Sequence, residues 1–176
     1  LDVVPDHFHP RYDARSRTYR YTVAECPVRQ PLLNKRAWQV HRPMGDALMQ
    51  AAAQVLIGQQ DFAALGKPPT GNNTVREIFE SDWPVYQEPF GRRLVYQVTA
   101  TAFLYRMVRR IVAIQVQVGL GNKSVQDVHE ILHSKRLLPA QRIAPPDGLV
   151  LTNVAYAEMT NTQEQWAVQQ PSEDRR

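Results

Sequence analysis

The 176-residue chain, 43% hydrophobic and 22% charged, has the size and make-up of one globular domain, and no uninterrupted apolar run of about eighteen residues is present to span a membrane. A single cysteine, Cys26, excludes a disulfide framework and suits a reducing compartment. The net charge of +4 is unevenly placed: residues 1–42 hold eight Lys or Arg against four Asp or Glu, and residues 43–176 hold thirteen of each. The surplus reads equally as a nucleic-acid footprint or as a solvated basic face.

The opening "LDVVPDHFHP" has neither a starting Met nor a basic stretch followed by an apolar one, so a fragment without a secretion signal is expected. Asp6, His7 and His9 alternate there as metal ligands would, though polar loop residues explain them as well. Residues 15–24, beginning "RSRTYRY", read as a strand. Its period of two puts Arg15, Arg17, Tyr19 and Tyr21 on one face, with Thr18 and Arg20 on the other. The tyrosines suit either a stack of bases or a cross-strand core, and spacing alone favours the core.

An irregular, proline-containing stretch is expected to about residue 44. "GDALMQAAAQVLIG" then gives an amphipathic helix with Leu48, Ala51, Ala52 and Val55 at helical spacing and Gly58 available to end it. "DFAAL" leads into the exposed loop "GKPPTGNN". Residues 75–86 and 93–102 read as a hairpin joined through "EPFGR", with Leu94, Tyr96, Val98 and Ala100 alternating in its second arm.

The longest helix is expected over "FLYRMVRRIVAIQVQVGLG", along the stripe Leu104, Met107, Val108, Ile111, Val112 and Val118. At about 100° per residue, Arg106, Arg109 and Arg110 turn away from that stripe, with Arg109 nearest its edge. An arginine at the margin of so apolar a helix wants a carboxylate or phosphate, or else snorkels to water. A shorter helix starts at the N-cap Ser124, with Asp127 three residues on. "GLVLTNVAY", apolar on both faces, reads as a central strand, and the tail from Thr160 as a polar, frayed end. The order β, α, β, β, α, α, β predicts an α+β domain, a mixed or antiparallel sheet backed by helices on one face.

"HEILH" matches the zinc-peptidase pattern through His129, Glu130 and His133. The third ligand is missing: Arg136 stands where the extended pattern needs Gly, and the distant candidate is Glu158. Cys26 carries no nucleophile motif, and no glycine-rich phosphate cradle occurs in the chain.

Taken together, "FHPRYDARSRTYRY", "DFAAL", "AFLYRMVRRIV", "VGLGN" and "APPDGLVLTNVAY" resemble, in order and spacing, the carboxy-terminal portion of the tRNA pseudouridine synthase A (TruA) family, over about residues 5–156. The resemblance implies a pseudouridine synthase fold in residues 1–160, followed by a polar tail over 161–176. It implies a cytoplasmic isomerase, with a plastid enzyme as the alternative, that converts uridine to pseudouridine at positions 38 to 40 in the anticodon stem-loop of tRNA. That enzyme works as a homodimer without cofactor or metal. The family's nucleophilic aspartate sits in a G-R-T-D-x-G-V-H motif absent here, so the chain is expected to be inactive alone.

By the same resemblance Tyr19 contacts the target base, Arg109 pairs with the nucleophilic aspartate and Leu149 lines the uracil pocket. Arg15, Arg17, Arg20, Arg106 and Arg110 are expected to meet RNA. The chain departs from the family at Arg110 (usually small and polar), Ala113 (usually glycine) and Leu65 (usually phenylalanine). The rival readings are a non-catalytic RRM-like RNA-binding module, suggested by the β-α-β-β-α-β core, a zinc peptidase on His129, Glu130 and His133, and a dimerisation domain.

Overall fold

A computed structural model describes residues 6–139 and 143–157. Strand β1 (Ala14–Glu25) is the spine of a seven-stranded sheet that includes β2 (Trp38–Val40), β3 (Gly58–Asp61), β4 (Val75–Asp82), β5 (Val85–Glu88), β6 (Gly91–Ala100) and β7 (Leu149–Tyr156). The main path runs β2-β1-β6-β4-β3, with β7 beside β1 and β5 beside β6. Every pairing is antiparallel except β1 with β2. Helices α1 (Asp46–Gln54), α2 (Met107–Gly119) and α3 (Val125–Ser134) complete the α+β domain. Within it, β1-α1-β4-β6-α2-β7 has strands in the order β7-β1-β6-β4, a ferredoxin-like arrangement.

Strands β1 and β6 run in unbroken register from Arg17 opposite Ala100 to Glu25 opposite Arg92, so each strand keeps one face inward. Tyr21, Val23, Leu94, Tyr96, Val98 and Ala100 are all fully buried on that face, against the helices. The expected alternation therefore holds on both strands. The expected hairpin is split: β4 and β5 both pair with β6, and the chain breaks between them at Trp83 and Pro84.

Helix α2 is buried almost all round, down to Gln115, whose Oε1 accepts a hydrogen bond from Trp83 Nε1 at 2.9 Å. It starts at Met107, not Phe103, because Tyr105 is drawn into a bridge with Lys67 and Arg106 takes the left-handed conformation at φ 62°. In α1 the buried face is Met49, Ala52 and Ala53, one position off the expected stripe, and Leu48 is half exposed. The rotation is set by Gly119, where a Cβ would lie 2.6 Å from Met49 Sδ and whose carbonyl accepts Gly45 N–H at 2.8 Å. Gly58, at φ +96°, opens β3 rather than closing the helix. Helix α3 carries the expected capping box: Ser124 Oγ accepts from Asp127 N–H at 3.1 Å and Asp127 Oδ2 accepts from Ser124 N–H at 2.6 Å.

The final strand is not central. Among the described residues β7 pairs only with β1, and Val150 and Leu151 are about half exposed. The tail expected from residue 161 lies outside the described residues, and no helix described is long and apolar enough to cross a membrane.

Asp61 ties three elements together. Its carboxylate accepts from Thr74 Oγ1 at 2.5 Å and Ala63 N–H at 3.0 Å, and pairs with Lys135, the C-cap of α3, at 3.0 Å. The Thr74 hydrogen bond first, and Lys135 second, hold this carboxyl below its ordinary range. A depressed folded-state value means stability that is present above about pH 4 and is lost as pH falls through the folded value. Asp61→Asn should therefore cost about 1 kcal/mol at neutral pH and progressively less on acidification, read from urea midpoints across pH.

Candidate active site

Tyr19 and Tyr21 lie two residues apart on the helix-facing side of β1. Tyr21 is wholly enclosed, whereas Tyr19 is half-buried and meets Phe103 edge-on, with ring centroids 5.1 Å apart at 87°. Phe103 belongs to the short connection from β6 to α2, so the same side of the sheet receives the first turn of α2 and its arginines.

The turn before β7 closes the arrangement. Tyr21 Oη donates to the Pro145 carbonyl at 2.6 Å, and Arg109 Nε donates to the adjacent Ala144 carbonyl at 2.7 Å. Ala144 N–H returns to the Arg109 carbonyl at 3.1 Å. Leu149 then enters β7 opposite Tyr21, half-buried against the main core, and Leu151 pairs with Tyr19. Tyr19, Arg109 and Leu149, placed far apart in sequence, are thus joined through Tyr21 and residues 144–149.

Arg109 is half-buried, and among the described residues no carboxylate lies within ion-pair distance of it. With Nε committed to Ala144, its two terminal nitrogens remain for an acceptor. Burial pushes the Tyr21 hydroxyl far above the usual tyrosine range; the Arg109 charge opposes that rise and Asp147 adds to it. The hydroxyl therefore stays a donor at neutral pH.

The other arginines divide. Arg110, expected to meet RNA and to turn outward, is instead the buried member of the trio at 6% exposure. Its Nη1 donates to the carbonyls of Tyr105 (3.3 Å) and Leu65 (3.4 Å), joining the "DFAAL" turn to the start of α2, and Nε has no partner. Burial, followed by the Arg106 and Arg109 charges, pulls its guanidinium below the usual arginine value. Helical angle alone misplaced it, because the packing of the "DFAAL" turn decides which side of α2 is covered.

Arg106 is exposed, with its guanidinium 4.9 Å from the Tyr105 ring centre. Arg15 is exposed. Arg17 donates to the carbonyls of Thr101 (3.1 Å) and Arg11. Arg20 lies on the opposite face of the sheet and donates to Gln97 Oε1 at 3.0 Å, away from Tyr19.

That opposite face decides against the RRM-like reading. Such modules stack bases on aromatic side chains of their central strands, but β1 and β6 present Thr18, Arg20, Gln97 and Thr99 there, and Tyr96 points into the core. The zinc reading fares no better: His133 Nδ1 donates to the His129 carbonyl at 2.7 Å, and no group of three His, Cys, Asp or Glu able to hold a metal occurs among the described residues. Glu158 lies outside them. In "DHFHP", His9 Nδ1 accepts from Arg11 N–H at 3.2 Å within a turn. A cavity of about 490 Å³, lined by Trp38, Ala113, Ile131 and Leu138 together with the polar Gln117, Asn122 and Lys123, includes none of Tyr19, Arg109 and Leu149.

The family model for tRNA pseudouridine synthase matches residues 52–157. The chain belongs to the tRNA pseudouridine synthase family. Its curated relatives include tRNA pseudouridine synthase A of Methylacidiphilum infernorum (isolate V4), 37% identical over 88% of this chain and 60% of the relative. The same enzyme of Paraburkholderia xenovorans (strain LB400) is 38% identical over 88% of this chain and 56% of its own length. That of Geobacter sp. (strain M21) is also 38% identical, over 88% and 62%. The chain therefore spans about three-fifths of the length of these synthases.

Sequence reasoning offered Tyr21 as a core or stacking ring but gave its hydroxyl no partner, and it did not find the carbonyls of Ala144 and Pro145. The tyrosine's spacing from Tyr19 was visible; the carbonyls, being backbone atoms, leave no trace in side-chain patterns.

Proposed function

We propose that this chain builds the base-binding side of an enzyme that isomerises uridine to pseudouridine in the anticodon arm of tRNA, working as a homodimer, with the nucleophilic aspartate supplied from outside these 176 residues. The observation that carries the reading is Arg109: half-buried, steered by Ala144, with its terminal nitrogens free of any described acid and on the same side of the sheet as Tyr19 and Leu149.

Isomerisation breaks the bond from uracil N1 to C1′ of the ribose, turns the base, joins C5 to C1′, and releases the C5 proton while N1 gains one. To be reached, the base must leave its stack. The half-exposed Tyr19 ring offers it a stacking or edge surface, and Leu149 a dry wall. The guanidinium favours the charged form of an aspartate beside it, keeping the acid ready as nucleophile or base at neutral pH. Arg15 and Arg106, both exposed, supply charge for the phosphate backbone.

The test is tritium release from tRNA labelled at uracil C5. The chain alone should bind tRNA with an affinity that falls steeply as salt rises, and release no tritium. Joined to the family's amino-terminal portion with its G-R-T-D segment, it should release tritium. Release by the chain alone would overturn the assignment of the nucleophile.

A further inference from the structure

Tyr21 is buried more completely than a residue that touches substrate could be, yet its hydroxyl is spent on the substrate side of the molecule. Successive carbonyls of one turn are gripped from two directions: Pro145 by the ring from β1, at 2.6 Å, and Ala144 by the guanidinium from α2, at 2.7 Å. The second grip fixes Arg109. Because Nε is held by Ala144, the planar head can rotate little, and its terminal nitrogens face wherever the Ala144 carbonyl directs them.

That carbonyl is one peptide from Pro145, so its place depends on Tyr21. Three residues on, Gly148 lies so close to Tyr21 that a Cβ there would be 2.9 Å from the ring, and Leu149 pairs with Tyr21 across the β1–β7 ladder. A single buried side chain therefore governs both ends of the 144–149 segment. The charged groups acting on its hydroxyl are Arg109 and Asp147.

We infer that Tyr21 is a positioning residue, which through the Pro145 carbonyl sets the aim of Arg109 toward its acid and the placement of Leu149 beside the base. The inference rests on the reading of Arg109 given above, and its test separates the two.

The variant is Tyr21→Phe, which keeps the ring and removes the grip. Its control is Tyr96→Phe, which removes an equally buried hydroxyl on the strand beside Tyr21, bonded to Ser81 Oγ at 2.7 Å and not to the 144–149 turn. In the chain itself, solvent exchange of the Arg109 Nε–H, followed by nuclear magnetic resonance, should quicken about tenfold in Tyr21→Phe and stay unchanged in Tyr96→Phe. In the polypeptide that also carries the aspartate segment, kcat should fall about tenfold, with KM for tRNA changed less than about twofold. The acid limb of the kcat–pH profile should move up by about one pH unit, because a poorly aimed guanidinium favours the ionised acid less.

Unchanged Nε–H exchange in Tyr21→Phe would overturn the inference. So would equal losses of kcat in both variants with the acid limb unmoved. If the unsubstituted polypeptide released no tritium, the reading of the acid would fall, and the exchange measurement would still decide whether Tyr21 aims Arg109.

Discussion

Replacing Arg109 with alanine is expected to lower turnover by about a thousandfold in the polypeptide that carries the family's aspartate, with a much smaller effect on tRNA binding. Removing one partner of a buried ion pair costs about 3–5 kcal/mol, because the other charge is left uncompensated, and about 4 kcal/mol on a barrier is close to three powers of ten. Arg109→Lys should recover little. An ammonium can balance charge, but it cannot hold the Ala144 carbonyl at 2.7 Å through one nitrogen while presenting two others to an acid. Rates at saturating tRNA for Arg109→Ala and Arg109→Lys check both parts. A lysine variant with near-normal turnover would show that bulk charge, and not the fork, is what the site uses.

Gly148→Ala is expected to produce the largest loss of stability among single-methyl changes at the site. A Cβ at this position would sit 2.5 Å from the Thr22 carbonyl and 2.9 Å from the Tyr21 ring. Neither neighbour can yield cheaply: the carbonyl belongs to the most heavily paired strand of the sheet, and the ring is wholly buried with its hydroxyl tied to Pro145. Overpacking of this kind costs about 1–3 kcal/mol. In a chain of this size that corresponds to a melting-point fall of about 3–10 °C, measurable by calorimetry. Because the clash is relieved most easily by moving residues 144–149, turnover should fall further than the lost stability explains.

What could be read in advance depended on how far each feature is determined locally. The alternation of Tyr19 and Tyr21 was legible because β1 and β6 keep one register for nine residue pairs, and the start of α3 was legible because the Ser124–Asp127 capping box is a short-range device. Strands β2 and β3 were not: at three and four residues they are too short to show a period. The apolar sequence of β7 suggested cover on both sides, whereas the described sheet covers one. The turn of α1 was fixed by Gly119, some seventy residues away, which leaves room for Met49.

Among the candidate site residues, Tyr19, Arg109 and Leu149 were picked out through their motifs. Their connection was not, because it runs through the Ala144 and Pro145 carbonyls. Arg109 and Arg110 are chemically identical neighbours in sequence. Only the tertiary position of Leu65 and Tyr105 makes one a strut and leaves the other free to receive an acid.

The most direct measurement is photo-crosslinking of this chain to tRNA carrying 4-thiouridine in the anticodon arm, with the attached peptides identified by mass spectrometry. The crosslinks should fall on the peptide containing Tyr19 and on the one containing Leu149, and should weaken in Tyr19→Ala. Crosslinks confined to the other face of the sheet, at Gln97 or Thr99, would contradict the placement of the target base beside Arg109.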